Sequence, residues 1–416
     1  MNSTLLRRLL ALVALLVLAP SPAHADEDDD VVIPLQVVVR LQPGVAVGAL
    51  NAQYQSTTLD SIPAERWYLL GTPPGLNEEE FAQILALDTR VAEVELHYTG
   101  RDNTPDPGTQ SIFFSSTMSQ YLEQSALTAI GLAGASANPG GAGVRVAVID
   151  SGADALHPAL EGRLIPGFNF IEGNGDTRDL GDGLDNDGDG QIDESVGHGT
   201  AAAGLVVRIA PNAKVMPLRV LDSDGLTTVF RVSAAIYHAA DQGAHIINLS
   251  LGTTADQRIL QSAVQYATAR GVLVVASTGN EGNLTPVRYP AGLSPAPGVV
   301  AVAGTDSAGL IAPFSNYGPH VTISAPSVMI VSAIPGAAYG AANGTSFGAP
   351  LVCGTVALVL SRMPSPDPVL AGQRVVSTTT PIGVLNPNYP GWMGSGLLNV
   401  TRALSLTRPH PLRRSR

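Results

Sequence analysis

The sequence predicts an α/β protein built on an open, mostly parallel sheet with helices on both faces, preceded by a small α+β domain. Three observations predict it. Short β-branched runs at residues 144–149, 215–220, 246–249, 272–276, 299–302 and 321–323 lack polar alternation, as strands buried on both faces do. Helical patterns at 229–242 and 256–270 lie between them, which is the alternation of a parallel α/β sheet. An N-terminal segment reaching Tyr98 carries its own strand and helix pattern and is followed by linker composition.

Taken in order, Arg7 and Arg8 precede an apolar run at 9–19 and then Ala23-His24-Ala25, the small-x-small pattern of a signal peptidase site. Residues 1–25 are read as a signal peptide, and the chain as secreted, extracellular or periplasmic. The apolar run is too short to span a bilayer, and no membrane span is expected elsewhere. After an acidic leader at 26–30 come a strand (35–41), a helix (45–53), two strands (57–59 and 67–70), a helix (77–87) and a strand (91–97). Residues 101–116, with Pro105, Pro107 and Gly108, read as linker. The α/β domain is assigned to 113–407, and the Arg- and Pro-rich tail 408–416 is expected to be disordered.

The 45% hydrophobic content over 416 residues supports a large core, and the 44 glycines and 31 prolines imply many tight turns. A formal net charge of −12 argues against nucleic acid or an anionic membrane surface as partner. Cys353 is the single cysteine, so no internal disulfide forms, and among apolar neighbours it reads as a buried, inert thiol. A monomer is expected.

The chemistry gathers where such sheets place it, at the carboxyl ends of strands. Asp150 ends the strand at 144–149 and precedes Ser151-Gly152; alone, it reads equally as the start of a turn. His198 lies between Gly197 and Gly199 at a helix start, where by itself a capping role comes first. Ser346, in Asn343-Gly344-Thr345-Ser346-Phe347-Gly348-Ala349-Pro350 before an apolar helical run, likewise reads first as a cap. Together, Ser, His and Asp form a hydrolytic relay in which the hydroxyl meets one ring nitrogen and the carboxylate holds the other. Asn280, in Gly279-Asn280-Glu281-Gly282 beyond the strand at 272–276, supplies an amide donor for an oxyanion.

With these residues in hand, the chain resembles the subtilisin-like serine proteases. The resemblance rests on Val148-Ile149-Asp150-Ser151-Gly152, Gly197-His198-Gly199-Thr200, Ser250-Leu251-Gly252, Gly279-Asn280-Glu281-Gly282 and Gly344-Thr345-Ser346, in that order, over residues 126–404. The order Asp, His, Ser is that of subtilisin. It implies a secreted serine endopeptidase acting on protein or peptide substrates without a cofactor for the chemistry. Asp150 would orient His198, His198 would take the proton of Ser346, and Asn280 with the Ser346 N–H would hold the oxyanion. Ser250, Leu251 and Gly252 would pair with an extended substrate. Thr278 and Gly279, with Ser250, Leu251 and Gly252, would line the pocket before the cut bond, and none is charged, so an apolar or broad preference is expected. Residues 26–112 would be a propeptide that inhibits its own enzyme until cut away. Phe347-Gly348-Ala349 and Leu351 depart from commoner family residues without removing a catalytic group. The continuous run from Leu205 to Pro211 leaves no room for the calcium loop of the best-known members.

Residues 176–194 hold eight acidic residues and one arginine. Asp185, Asp187 and Asp189 at alternate places, Gly190 at the sixth and Ile192 at the eighth match the start of an EF-hand loop, so a structural Ca²⁺ is expected on Asp185, Asp187, Asp189, Gln191 and Glu194. Val196 stands at the twelfth place, so Asp193 or Glu194 must close the shell; the alternative is a solvated acidic loop. The residues also admit two rival functions. Gly344-Thr345-Ser346-Phe347-Gly348 also spells the esterase motif, but residues 336–343 read as too small and Gly/Ala-rich for the required strand, and the only later histidine is His410. A secreted binding protein that keeps the fold without the chemistry would be expected to have lost at least one of the four chemical groups.

Overall fold

The computed structural model describes residues 30–102, 113–134 and 140–405; the predicted signal peptide and the basic tail lie outside them. The N-terminal unit runs β1 (Val32–Leu41), α1 (Val47–Tyr54), β2 (Thr57–Ile62), β3 (Trp67–Gly71), α2 (Glu78–Ala86) and β4 (Val91–Asp102). Its strands form an antiparallel sheet in the order β4-β1-β3-β2. Helix α2 begins where Asn77 accepts the Glu80 N–H at 2.8 Å, and its Phe81 and Leu85 are buried with Leu50 of α1 against Val37, Val39 and Leu41. Because side chains alternate along a strand, Val38 points the other way, into the core of the larger unit.

That larger unit carries a seven-stranded parallel sheet, the fold class expected. Its strands are β6 (Arg145–Asp150), β7 (Phe168–Asn169), β8 (Lys214–Arg219), β10 (Ile246–Leu249), β12 (Leu273–Ser277), β13 (Val299–Thr305) and β14 (Ile323–Pro326), in the order β14-β13-β12-β10-β6-β8-β7. Helices α5 (His198–Ile209) and α8 (Thr345–Leu360) cover one face, packed on Val146, Val148 and Val275. Helices α6 (Val229–Asp241) and α7 (Arg258–Ala269) cover the other, packed on Ala147, Ile149, Val274 and Ala276. Every residue of α8 is buried, which accounts for a helix apolar on all sides. Helix α5 runs through Leu205 to Ile209 without interruption, as the sequence implied.

Two expectations are corrected. Strand β4 continues to Asp102, inside the stretch read as linker, because its far end pairs with β9 (Leu226–Thr228) and β11 (Leu251–Gly252) of the larger unit. Part of the same stretch, Phe114–Ser116, forms β5. Residues 336–343, read as unable to form a strand, contain β16 (Ala338–Ala342), which is hydrogen-bonded on one side to β15 (Ile330–Ile334) and on the other to β5. Small residues have weak strand propensity, but ladders on both edges override it. The case against an esterase therefore rests on the downstream histidine, the only one being His410 in the tail.

Candidate active site

Neighbouring parallel strands end at the same edge of the sheet, and their ends carry the candidate residues. Asp150 is the last residue of β6, Ser250 follows β10, and Asn280 lies just beyond β12. His198 opens α5, and Ser346 lies in the first turn of α8, on the face those two helices share. Gly199 lets α5 come close to the β6 turn: a Cβ there would stand 2.3 Å from the Gly152 carbonyl oxygen. The result is a 2.7 Å contact between His198 Nδ1 and Asp150 Oδ1, with both side chains fully buried. The His198 ring also lies 5.4 Å from the Phe347 ring, next to Ser346 in sequence.

Buried Asp179 ties this corner together. One of its oxygens accepts from Ser151 Oγ and Gly197 N–H, both at 3.0 Å; the other accepts from Thr200 N–H at 3.0 Å and Thr200 Oγ1 at 2.6 Å. Burial raises its pKa, and Asp150 adds to that, while the hydrogen bonds pull it down. One carboxylate thus fixes the residue after Asp150 and both sides of His198.

On the other side of Ser346, Asn280 Oδ1 accepts the Thr345 N–H at 2.8 Å. Gly279 N–H donates to Thr345 Oγ1 at 3.2 Å. Ser250 Oγ donates to the Ser346 carbonyl at 2.7 Å, so its hydroxyl serves the α8 backbone. The Thr278 side chain is fully buried, with its hydroxyl directed to the Val302 and Asn316 carbonyls. Leu251 and Gly252 form β11, where Leu251 pairs with Asp102 and Gly252 with Arg101. On the opposite side β9 pairs Leu226 with Arg101 and Thr228 with Thr99, so the end of β4 fills a slot between two strands of the larger unit.

In the acidic loop, Asp185, Asp187 and Asp189 each offer an oxygen within 4.8 Å of the others, and so do Asp187, Glu194 and Asp224. Gln191 directs its amide Nε2 to Asp189 at 2.9 Å. Asp193 turns to the Asp182 and Gly183 N–H groups, which leaves Glu194 as the acid placed to complete a shell. Burial, reinforced by Asp224 and Asp187, pushes the Glu194 carboxyl up to about 8, and its Oε2 is buried without a hydrogen-bond partner among the described residues. An all-oxygen donor set with crowded carboxylates fits a hard cation.

Asp179, Thr345 and Asp224 were not singled out from the sequence. Asp179 is one of many acids in its stretch, Thr345 reads as a neighbour of Ser346, and Asp224 lies well beyond the loop in sequence. Placing them needed the tertiary contacts.

The fold and this arrangement define a class, serine peptidases built on an open parallel sheet. Residues 141–393 match the model of the subtilase family (Peptidase S8), and the chain belongs to that family. It is 38% identical over 236 residues to the thermophilic serine proteinase of Bacillus sp. (strain AK1), covering 54% of this chain and 53% of that protein. It is 36% identical over 272 residues to subtilisin BL of Lederbergia lenta, covering 63% of this chain and 91% of that protein. Among solved structures, fervidolysin from Fervidobacterium pennivorans, described as a keratinolytic enzyme related to subtilisin, superposes with a TM-score of 0.71 at 25% identity, over 92% of this chain and 62% of that one. The chain thus spans about half the length of the Bacillus proteinase. Among the described residues no helix is long and apolar enough to cross a membrane.

Proposed function

We propose that the chain is a secreted serine endopeptidase made as a zymogen. The observation that carries the catalytic reading is the buried 2.7 Å contact between His198 and Asp150 at the sheet edge where α8 presents Ser346. In this reading Asp150 holds the His198 ring, His198 takes the proton of Ser346 as the hydroxyl attacks the peptide carbonyl, and an acyl-enzyme forms and is hydrolysed. Asn280 and the Ser346 N–H stabilise the oxyanion. Leu251 and Gly252 pair with the substrate backbone as an added strand, and Ser250, Thr278 and Gly279 shape the pocket from behind.

Residues 26–112 act as the propeptide. Support comes from the pairing of Arg101 and Asp102 with Gly252 and Leu251, where this reading seats a bound peptide, and a processing bond beyond Asp102 agrees with it. Residues 1–25 direct export, 113–407 form the peptidase domain, and the active species is a monomer acting on protein or peptide substrates. Asp185, Asp187, Asp189, Gln191 and Glu194, joined by Asp224, hold a structural Ca²⁺ that braces the loop leading into His198. Hydrolysis of casein by wild type and by Ser346→Ala tests the catalytic reading. Activity surviving in the variant would refute the nucleophile, and N-terminal sequencing of the processed protein locates the cut.

A further inference from the structure

The acidic loop does more in the structure than gather carboxylates. Asp224, just before β9, accepts the N–H of Asn186 and, at 2.6 Å, the N–H of Asp193, so the loop is pinned to the strand that forms one edge of the groove. That anchorage brings Asp187 to the groove, where its Oδ2 lies 3.3 Å from Nη2 of Arg101. Arg101 occupies a place defined on both sides, paired with Gly252 of β11 and Leu226 of β9. The two side chains retain 31% and 11% exposure, so the pair is partly shielded from the screening that makes open surface pairs weak.

Resting on the reading of the groove as a substrate site, we infer that Asp187 is a specificity-determining residue that selects a basic side chain at the substrate position paired with Gly252. Any extended peptide entering between β9 and β11 in this register presents that side chain toward the loop. Asp189, whose backbone N–H donates to Asp187 Oδ1 at 3.1 Å, sets a second carboxylate next to the first, so the loop favours a cation there over a neutral or acidic residue. The position is separate from the pocket before the cut bond, where Thr278 and Gly279 carry no charge. The preferred substrate is therefore a peptide strand with Arg or Lys at this one place.

The test uses internally quenched peptides carrying the sequence of residues 97–107, with Arg, Gln or Glu at the place of Arg101, and enzyme processed from the full chain. Wild type is expected to favour the Arg over the Gln peptide by about threefold to fivefold in kcat/KM, the scale of a partly shielded ion pair. That ratio should shrink toward one at about 1 M salt, where the screening length falls to ~3 Å. Asp187→Asn should lose the preference, and Asp187→Lys should reverse it in favour of the Glu peptide, a result that a merely disordered loop does not produce. Equal rates on the Arg and Gln peptides by wild type at low salt would overturn the inference and leave the proteolytic reading standing. No cleavage of any peptide or of casein by wild type would overturn both.

Discussion

The side-chain oxygen of Asn280 accepts the backbone N–H of Thr345 at 2.8 Å, which joins the end of β12 to the first turn of α8. In the proposed reading the amide nitrogen of the same side chain faces the substrate oxyanion. Asn280→Ala is expected to lower kcat far more than it alters KM. The loss known for the matching donor in a subtilisin, about 100- to 1,000-fold, sets the scale. Steady-state kinetics check it, and a change confined to KM would count against the oxyanion role.

Asp179 accepts hydrogen bonds from both sides of His198 and from Ser151. Asparagine keeps the shape but turns an NH₂ toward donors, leaving buried groups unmatched at about 1–3 kcal/mol each. Asp179→Asn is therefore expected to reduce the melting temperature and, by misplacing the ring, to cut kcat by about 10- to 100-fold with little change in KM. Melting curves and kinetics on the same sample read both effects.

Calcium removal should destabilise the protein. At a hundredfold excess over its dissociation constant an ion adds about 2.7 kcal/mol, which for a chain of this size corresponds to a melting shift of roughly 3–4 °C. Chelator should produce that drop in wild type, and Asp224→Asn should melt nearly alike with and without calcium. Identical wild-type curves in calcium and chelator would refute the bound ion.

The contact between the units carries a pH dependence. Glu95 of β4 accepts the N–H groups of Arg258 and Ile259 at the start of α7, at 2.8 and 2.9 Å, and burial pushes its carboxyl from 4.5 up to about 7. The folded form then holds a proton that the unfolded form releases, so this group's contribution falls as pH rises from about 4.5 to about 7. Buried His97, lowered to about 4, works in the opposite sense, its contribution being lost as pH drops from 6.5 toward 4. In a Ser346→Ala background, Glu95→Gln should raise the melting temperature more at pH 8 than at pH 5. An equal change at both values would contradict the assignment.

Cys353 is fully buried in α8, and its thiol donates to Asn248 Oδ1 at 3.5 Å. Burial raises its pKa, so the thiolate is suppressed. Iodoacetamide should leave the native protein unlabelled and modify it fully after denaturation, as mass spectrometry would record.

Much of this was legible in advance. Strands buried on both faces announced themselves by unbroken apolar runs, and Asp150, His198, Asn280 and Ser346 stood at glycine-flanked element ends that local sequence exposes. What local sequence hides is partnership. Strand β16 is built of small residues and exists because β5 and β15 flank it. Strand β4 outruns its own apolar pattern because β9 and β11 extend its ladder. Asp224 joins the acidic loop only through the turn between β8 and β9, and Asp179 is distinguished from its acidic neighbours only by what it touches.

Strand β4 belongs to two structures at once, antiparallel to β1 within the small unit and to β9 and β11 in the groove. What fills the slot is therefore the selvedge of a folded sheet, and under the proposed zymogen reading it would leave as one piece with that sheet. Occupancy of the groove becomes a folding equilibrium of the N-terminal unit, whose core centres on Phe81, Leu50 and Leu85. A substitution such as Phe81→Ala, costing about 3–5 kcal/mol, would then open a cleft it never touches. Heat would then act by the same route, the smaller fold, with the smaller core, melting first and uncovering the larger one.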